Sequence, residues 1–185
     1  MTTRAVILSA AATDLAVLAA TYAVRGWNVA GAHAAARNTA RLSVMWFAVA
    51  FAAPGLAHFV RSLPAPATLV RSFFAAHAIH FGAVAVLITR FELSHVSQHP
   101  GHDAAVVLGG FLLVLVTALT ATPGPFWTYS YLHRTTLYVV FLIFFGAYAA
   151  HPTKPLRAVT VLLVLALFLR LGGARKLYSQ AEPAT

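Results

Sequence analysis

The chain has 185 residues, 60% of them hydrophobic and only 9% charged, whereas a soluble globular domain is roughly one-quarter charged. Thirteen Lys and Arg against 4 Asp and Glu give a net charge of +9, which in so apolar a chain belongs to loops facing anionic headgroups and not to a nucleic-acid surface. The absence of cysteine excludes disulfides, thiolate catalysis and thiolate-held zinc or iron–sulfur clusters, and leaves nine histidines to be explained.

Apolar runs between breakers predict six membrane spans, at about 5–24, 40–62, 69–92, 104–121, 126–151 and 156–173. The expected fold is an all-α polytopic membrane protein, a single six-transmembrane-helix bundle over residues 1–185. No separate nucleotide-binding domain fits beside it. The first run carries Asp14 and is followed by Arg25-Gly26-Trp27, which marks a membrane helix and not a cleaved signal. Asp14 is read first as a partner for an Arg or His of the bundle and second as a proton relay. The breaks fall at Gly26 to Gly31, Leu63 to Pro66, His99-Pro100-Gly101, Thr122 to Pro125, and Pro152 to Pro155.

With the N-terminus inside, Arg4, Arg61, Arg71, Arg134, Arg170, Arg175 and Lys176 face the cytoplasm. Arg25, Arg37, Arg41, Arg90, Lys154 and Arg157 face away, together with Glu92 and Asp103. The small excess favours a cytoplasmic N-terminus in an inner or plasma membrane. Trp127, Tyr129 and Tyr131 form an aromatic belt at the start of the fifth span.

Histidine in hydrocarbon is costly and faces a bundle interior with a partner, so His58, His77, His80 and His133 each need one. An interhelical hydrogen bond is the simplest role for any of them. Spacing suggests more. His77 to His95 and His133 to His151 are both 18 residues, five turns, which places each pair on one helix face. Counted from span entries at Leu69 and Phe126, His77 and His133 lie at matching depth, as bis-histidine ligation of one heme iron requires. The same count levels His95 with His151 as ligands of a second heme. His80 is a rival for the inner ligand, and His58 a weaker rival or a propionate partner. Arg61, Arg71 and Arg134 suit heme propionates, or serve as positive-inside anchors. On the far side, His95, His99 and His102 with Glu92 and Asp103 form either a zinc, copper or iron site or a solvated loop.

The stretch Phe126-Trp127-Thr128-Tyr129-Ser130-Tyr131-Leu132-His133-Arg134-Thr135-Thr136-Leu137-Tyr138 resembles the Trp-x-x-Leu-His-Arg-x-x-Tyr start of the fifth span in the ferric-reductase-like transmembrane superfamily. That superfamily includes membrane domains of ferric reductases and NADPH oxidases and the heme-binding membrane subunit of the methionine sulfoxide reductase system. Arg71 to His80 is similar to its third span and Thr39-Ala40-Arg41-Leu42-Ser43 to the start of its second, so the likeness covers about 39–151. Where the family usually carries the second histidine of each span, 13 or 14 positions on, this chain has Gly146 and Ala147 after His133 and Arg90 and Phe91 after His77.

The resulting expectation is a membrane b-type cytochrome that moves electrons across the bilayer through bis-histidine heme. It holds one heme b, or two, ligated by His77 and His133 and by His95 and His151. Gly109-Gly110 and Gly172-Gly173 sit in helical context and cradle no phosphate, so electrons come from a separate flavoprotein or a quinol. An external metal ion, oxygen or a partner enzyme accepts them, which makes the chain the heme-binding membrane subunit of an oxidoreductase. Apart from membrane lipid and these partners none is expected. A metal or small-solute permease using the membrane and far-side histidines is the rival, and a purely structural membrane subunit the third reading.

Overall fold

The structure is a computed structural model that describes the backbone of residues 2–91, 100–121, 127–150 and 154–179. Within these it describes the side chains of 2–91, 108–121, 131–150 and 157–173. Six helices account for almost all of it: α1 Thr3–Arg25, α2 Val29–Leu56, α3 Pro66–Phe91, α4 Pro100–Leu119, α5 Trp127–Ala149 and α6 Lys154–Ser179.

Local chemistry sets the ends. The Thr2 hydroxyl accepts from the Ala5 amide at 3.3 Å and caps α1, which stops at Gly26, where φ is +80°. Asn28 Oδ1 accepts from the Gly31 amide at 2.9 Å and starts α2 eleven residues before the expected second span. The early start follows from Ala30, Ala32, Ala34, Ala35 and Ala36, strong helix formers whose neighbours Arg37, Asn38 and Arg41 depress hydropathy. Pro66 and Pro100 open α3 and α4 from inside the expected breaks, because proline at a first helical position lacks only an N–H that would have no partner there. Pro54 lies inside α2 and the helix runs through it to Leu56.

Helices α2, α3, α4, α5 and α6 form a closed ring in which each touches the next and α6 returns to α2, while α1 lies across α2 and α3. The ring encloses Phe47 and Phe51 of α2, Phe73 of α3, Leu137, Val140 and Phe141 of α5 and Leu163 of α6. Phe51 stacks on Phe141 at 4.8 Å and Phe47 meets Phe73 at 5.1 Å. Outside, Leu8, Leu112, Leu142, Ile143, Val161 and Phe168 are exposed. An apolar exterior around buried Thr39, Ser43, Ser72 and Thr117 is the arrangement that lipid selects. Four segments, Thr3–Arg25, Val29–Leu56, Pro66–Phe91 and Tyr131–Ala149, are long and apolar enough to cross a membrane. The protein is an all-helical membrane bundle.

Helices α2 and α6 cross with no room for a side chain between them. A Cβ on Gly173 would lie 2.6 Å from the Gly55 amide nitrogen, and one on Gly55 would run into the Leu169 carbonyl. Small residues at such a crossing let two backbones approach.

Candidate functional site

Three of the histidines on the ring helices, His77, His80 and His133, are tied through Nδ1 to a neighbouring helix. His77 Nδ1 is 2.8 Å from Ser43 Oγ of α2, His80 Nδ1 is 3.3 Å from Thr39 Oγ1 of α2, and His133 Nδ1 is 3.1 Å from the Thr117 carbonyl of α4. The same hydroxyls reach carbonyls of their own helix: Ser43 Oγ is 2.9 Å from the Ala40 carbonyl and Thr39 Oγ1 is 2.8 Å from that of Ala35. Thr120, 3.4 Å from His133 Nδ1, donates to Val116 at 2.7 Å. The Thr117 carbonyl can only accept, so His133 carries its hydrogen on Nδ1. The Ser43 and Thr39 hydroxyls can donate or accept, and where their hydrogen goes to the helix carbonyl the facing imidazole keeps its own on Nδ1 and presents a lone pair at Nε2. The Ala36 backbone also hydrogen-bonds the His80 ring. An imidazole oriented through Nδ1–H with Nε2 uncommitted is the form a metal-ligating histidine takes.

His77 is 6% exposed, with Phe81 edge-on at 4.7 Å and Phe144 of α5 edge-on at 5.5 Å. His80 lies one turn on, its ring 5.1 Å from that of His77. His133 is elsewhere. Phe144, which is level with His77, comes eleven residues after His133, about 16 Å along α5. The structure therefore does not bring His77 and His133 to matching depth. Stacking of Phe51 on Phe141 and edge contact of Phe47 with Phe144 at 5.2 Å set the sliding register of α5, and span entries counted from hydropathy do not report it.

His133 instead lines a cavity of about 240 Å³ at the end of the bundle where α3 and α5 begin. Arg134 and Arg170 share that lining with Thr120, Leu137, Val70 and Pro66. Arg170 donates to the Phe51 carbonyl at 2.9 Å, and its guanidinium lies over the rings of Phe51, at 4.6 Å, and Tyr138, at 5.2 Å. Sequence reading counted Arg170 only as an inside charge, although an arginine in the run Leu-Phe-Leu-Arg-Leu is itself a signal of an interior role. Arg71 is half-buried on α3, while His58 and Arg61 are exposed in the segment after α2.

No family model matches the chain, and no curated protein or solved structure matches it.

The donor chemistry at His77, His80 and His133 fits heme iron, and the register does not fit a single iron between His77 and His133. His95, His99, His151 and Glu92 lie outside the described residues, as do the side chains of His102 and Asp103. Among the described residues no group of three His, Asp or Glu side chains converges on a metal position. Asp14 is fully buried, and neither of its carboxylate oxygens has a hydrogen-bond partner; the buried Tyr22 hydroxyl and Trp46 Nε1 also lack one. The partnership of Asp14 with an Arg or His is thus not formed as a hydrogen bond.

Proposed function

We propose that the protein is a membrane b-type cytochrome that carries electrons through the bilayer, with His77 as an iron ligand and His80 as its neighbouring alternative. The observation that carries this reading is the deeply buried His77 imidazole tied through Nδ1 to Ser43 of α2; with its hydrogen on Nδ1, the ring offers the Nε2 lone pair as a donor. Bound heme supplies one-electron chemistry at a potential set by its ligands and by burial.

The chain's own residues supply orientation and exclusion. Ser43 orients the His77 ring through Nδ1, and Phe73, Phe81 and Phe144 pack around it with ring centroids 5.3, 4.7 and 5.5 Å away. Without cysteine no thioether can form, so the heme is held non-covalently. Partner imidazoles come from α5 or from the segments that contain His95 and His151, and a heme count decides whether there are one or two. Electrons arrive from a separate flavoprotein or a quinol and leave to an external acceptor, which makes the chain the membrane subunit of an oxidoreductase with its N-terminus on the cytoplasmic side. A permease is less well supported, since α2 runs unbroken through Pro54 where a transporter would unwind its helix around a solute.

The test is a reduced-minus-oxidised visible spectrum with a pyridine hemochrome count on protein purified from heme-sufficient cells. A b-type spectrum with at least one heme per chain is expected. Colourless, folded protein overturns the reading.

A further inference from the structure

The bundle-end cavity has an unusual charge balance. Two guanidiniums, those of Arg134 and Arg170, line about 240 Å³, and among the described residues no carboxylate lines it with them. Arg170 is held rigidly: one N–H goes to the Phe51 carbonyl, and its flat faces lie against the Phe51 and Tyr138 rings. The remaining N–H groups of a fork fixed in this way cost little entropy to engage. Arg134 and Pro66 are exposed, so the cavity meets the surface between the starts of α3 and α5. Leu137 and Val70 give it buried apolar walls, and Thr120 and His133 polar ones.

We infer that this cavity binds a phosphate group between Arg134 and Arg170. The volume is below the roughly 300–1,000 Å³ of a pocket for a whole drug-sized ligand, so it takes a headgroup and leaves the rest of an amphiphile outside. Planar guanidiniums match phosphate oxygens in paired hydrogen bonds, and basic pockets between membrane helices hold anionic lipid headgroups in this way. The α2–α6 crossing at Gly55 and Gly173 keeps Arg170 in place beside the cavity, so an anion bound there also ties α5 to the α2–α6 pair. The inference does not rest on the heme reading. A phosphodiester lipid and free phosphate present the same chemistry, and the experiment separates them.

Native mass spectrometry of the intact purified chain, supplemented in turn with phosphatidylglycerol, phosphatidylcholine and inorganic phosphate, reads the site directly. Retention of phosphatidylglycerol over phosphatidylcholine is expected, with a drop of about tenfold in Arg170→Gln and in Arg134→Gln variants whose unfolding temperature matches the parent's. Should Arg170→Gln fail to assemble, Arg134→Gln carries the test, because Arg134 is exposed and takes no part in the helix crossing. Retention of inorganic phosphate alone, lost in the same variants, assigns the site to free phosphate. Equal retention of the two lipids without phosphate binding, unchanged retention in the folded variants, or loss of heme together with lipid overturns the inference; the last outcome makes the arginines heme-propionate partners.

Discussion

His77 of α3 and Phe144 of α5 meet edge to face with ring centroids 5.5 Å apart, and this contact sets the two helices about three turns out of the register that would level His77 with His133. The two histidines therefore lie at separate levels of the bundle, and the proposed heme ligation treats them separately. His77→Ala should remove the heme component ligated from α3, whereas His133→Ala should leave its band position and midpoint potential unchanged. Difference spectra of the two variants check this. Loss of one and the same component in both variants would show that the two rings share an iron after all.

Ser43 would act on a bound heme only through His77. Accepting from Nδ1–H, its oxygen would raise the donor strength of Nε2. Ser43→Ala should lower heme affinity by about 10- to 100-fold, the usual scale for losing such a partner. The potential of whatever heme remains should rise, since a weaker donor stabilises ferric iron less. Ser43→Thr keeps an acceptor oxygen and should restore both. Unchanged affinity and potential in Ser43→Ala would remove Ser43 from the site.

The helices were legible in the sequence because apolar runs report burial in lipid, and proline and glycine report breaks. What hydropathy could not report is where a helix continues through a polar, alanine-rich stretch. The start of α2 at Val29 is the example: Asn28 and five alanines decide it, and the charges of Arg37 and Arg41 conceal it. The intramembrane histidines were legible by their cost in hydrocarbon. Their pairing was not, because the register of α3 against α5 is settled by interlocking of Phe47, Phe51, Phe141 and Phe144, a tertiary choice without sequence periodicity. Ser43 and Thr39 were visible only as a short stretch of likeness to another family, and their role depends on which carbonyl each hydroxyl has already engaged.

Adjacent glycines in α6 should respond with opposite signs. A Cβ at Gly173 would meet the Pro54 carbonyl carbon and the Gly55 amide nitrogen at 2.6 Å, so Gly173→Ala must push α2 and α6 apart and should cost about 1–3 kcal/mol. At Gly172 a Cβ meets nothing within 4 Å, and Gly172→Ala should gain roughly 0.5–1 kcal/mol from helix propensity. Thermal unfolding in detergent, followed by circular dichroism, compares them. Equal behaviour of the two variants would mean that the crossing is looser than described.

Asp14 offers the clearest separation of structure from function. Its side chain is fully buried, and both oxygens lack a hydrogen-bond partner. A buried acceptor left without a donor destabilises a fold by about 1–3 kcal/mol relative to an apolar group of similar shape. If Asp14 is only a structural passenger of α1, Asp14→Val should raise the unfolding temperature and leave reduction of the heme by an added donor at the parent rate. Asp14→Asn, which keeps buried polar atoms at the same place, should gain less stability than Asp14→Val. A residue retained for proton movement behaves differently: both variants then keep or gain stability while the rate of electron transfer falls in both. Measuring unfolding and heme reduction on the same preparations distinguishes the outcomes, and a slowed rate in stable Asp14→Asn would refute the passive role.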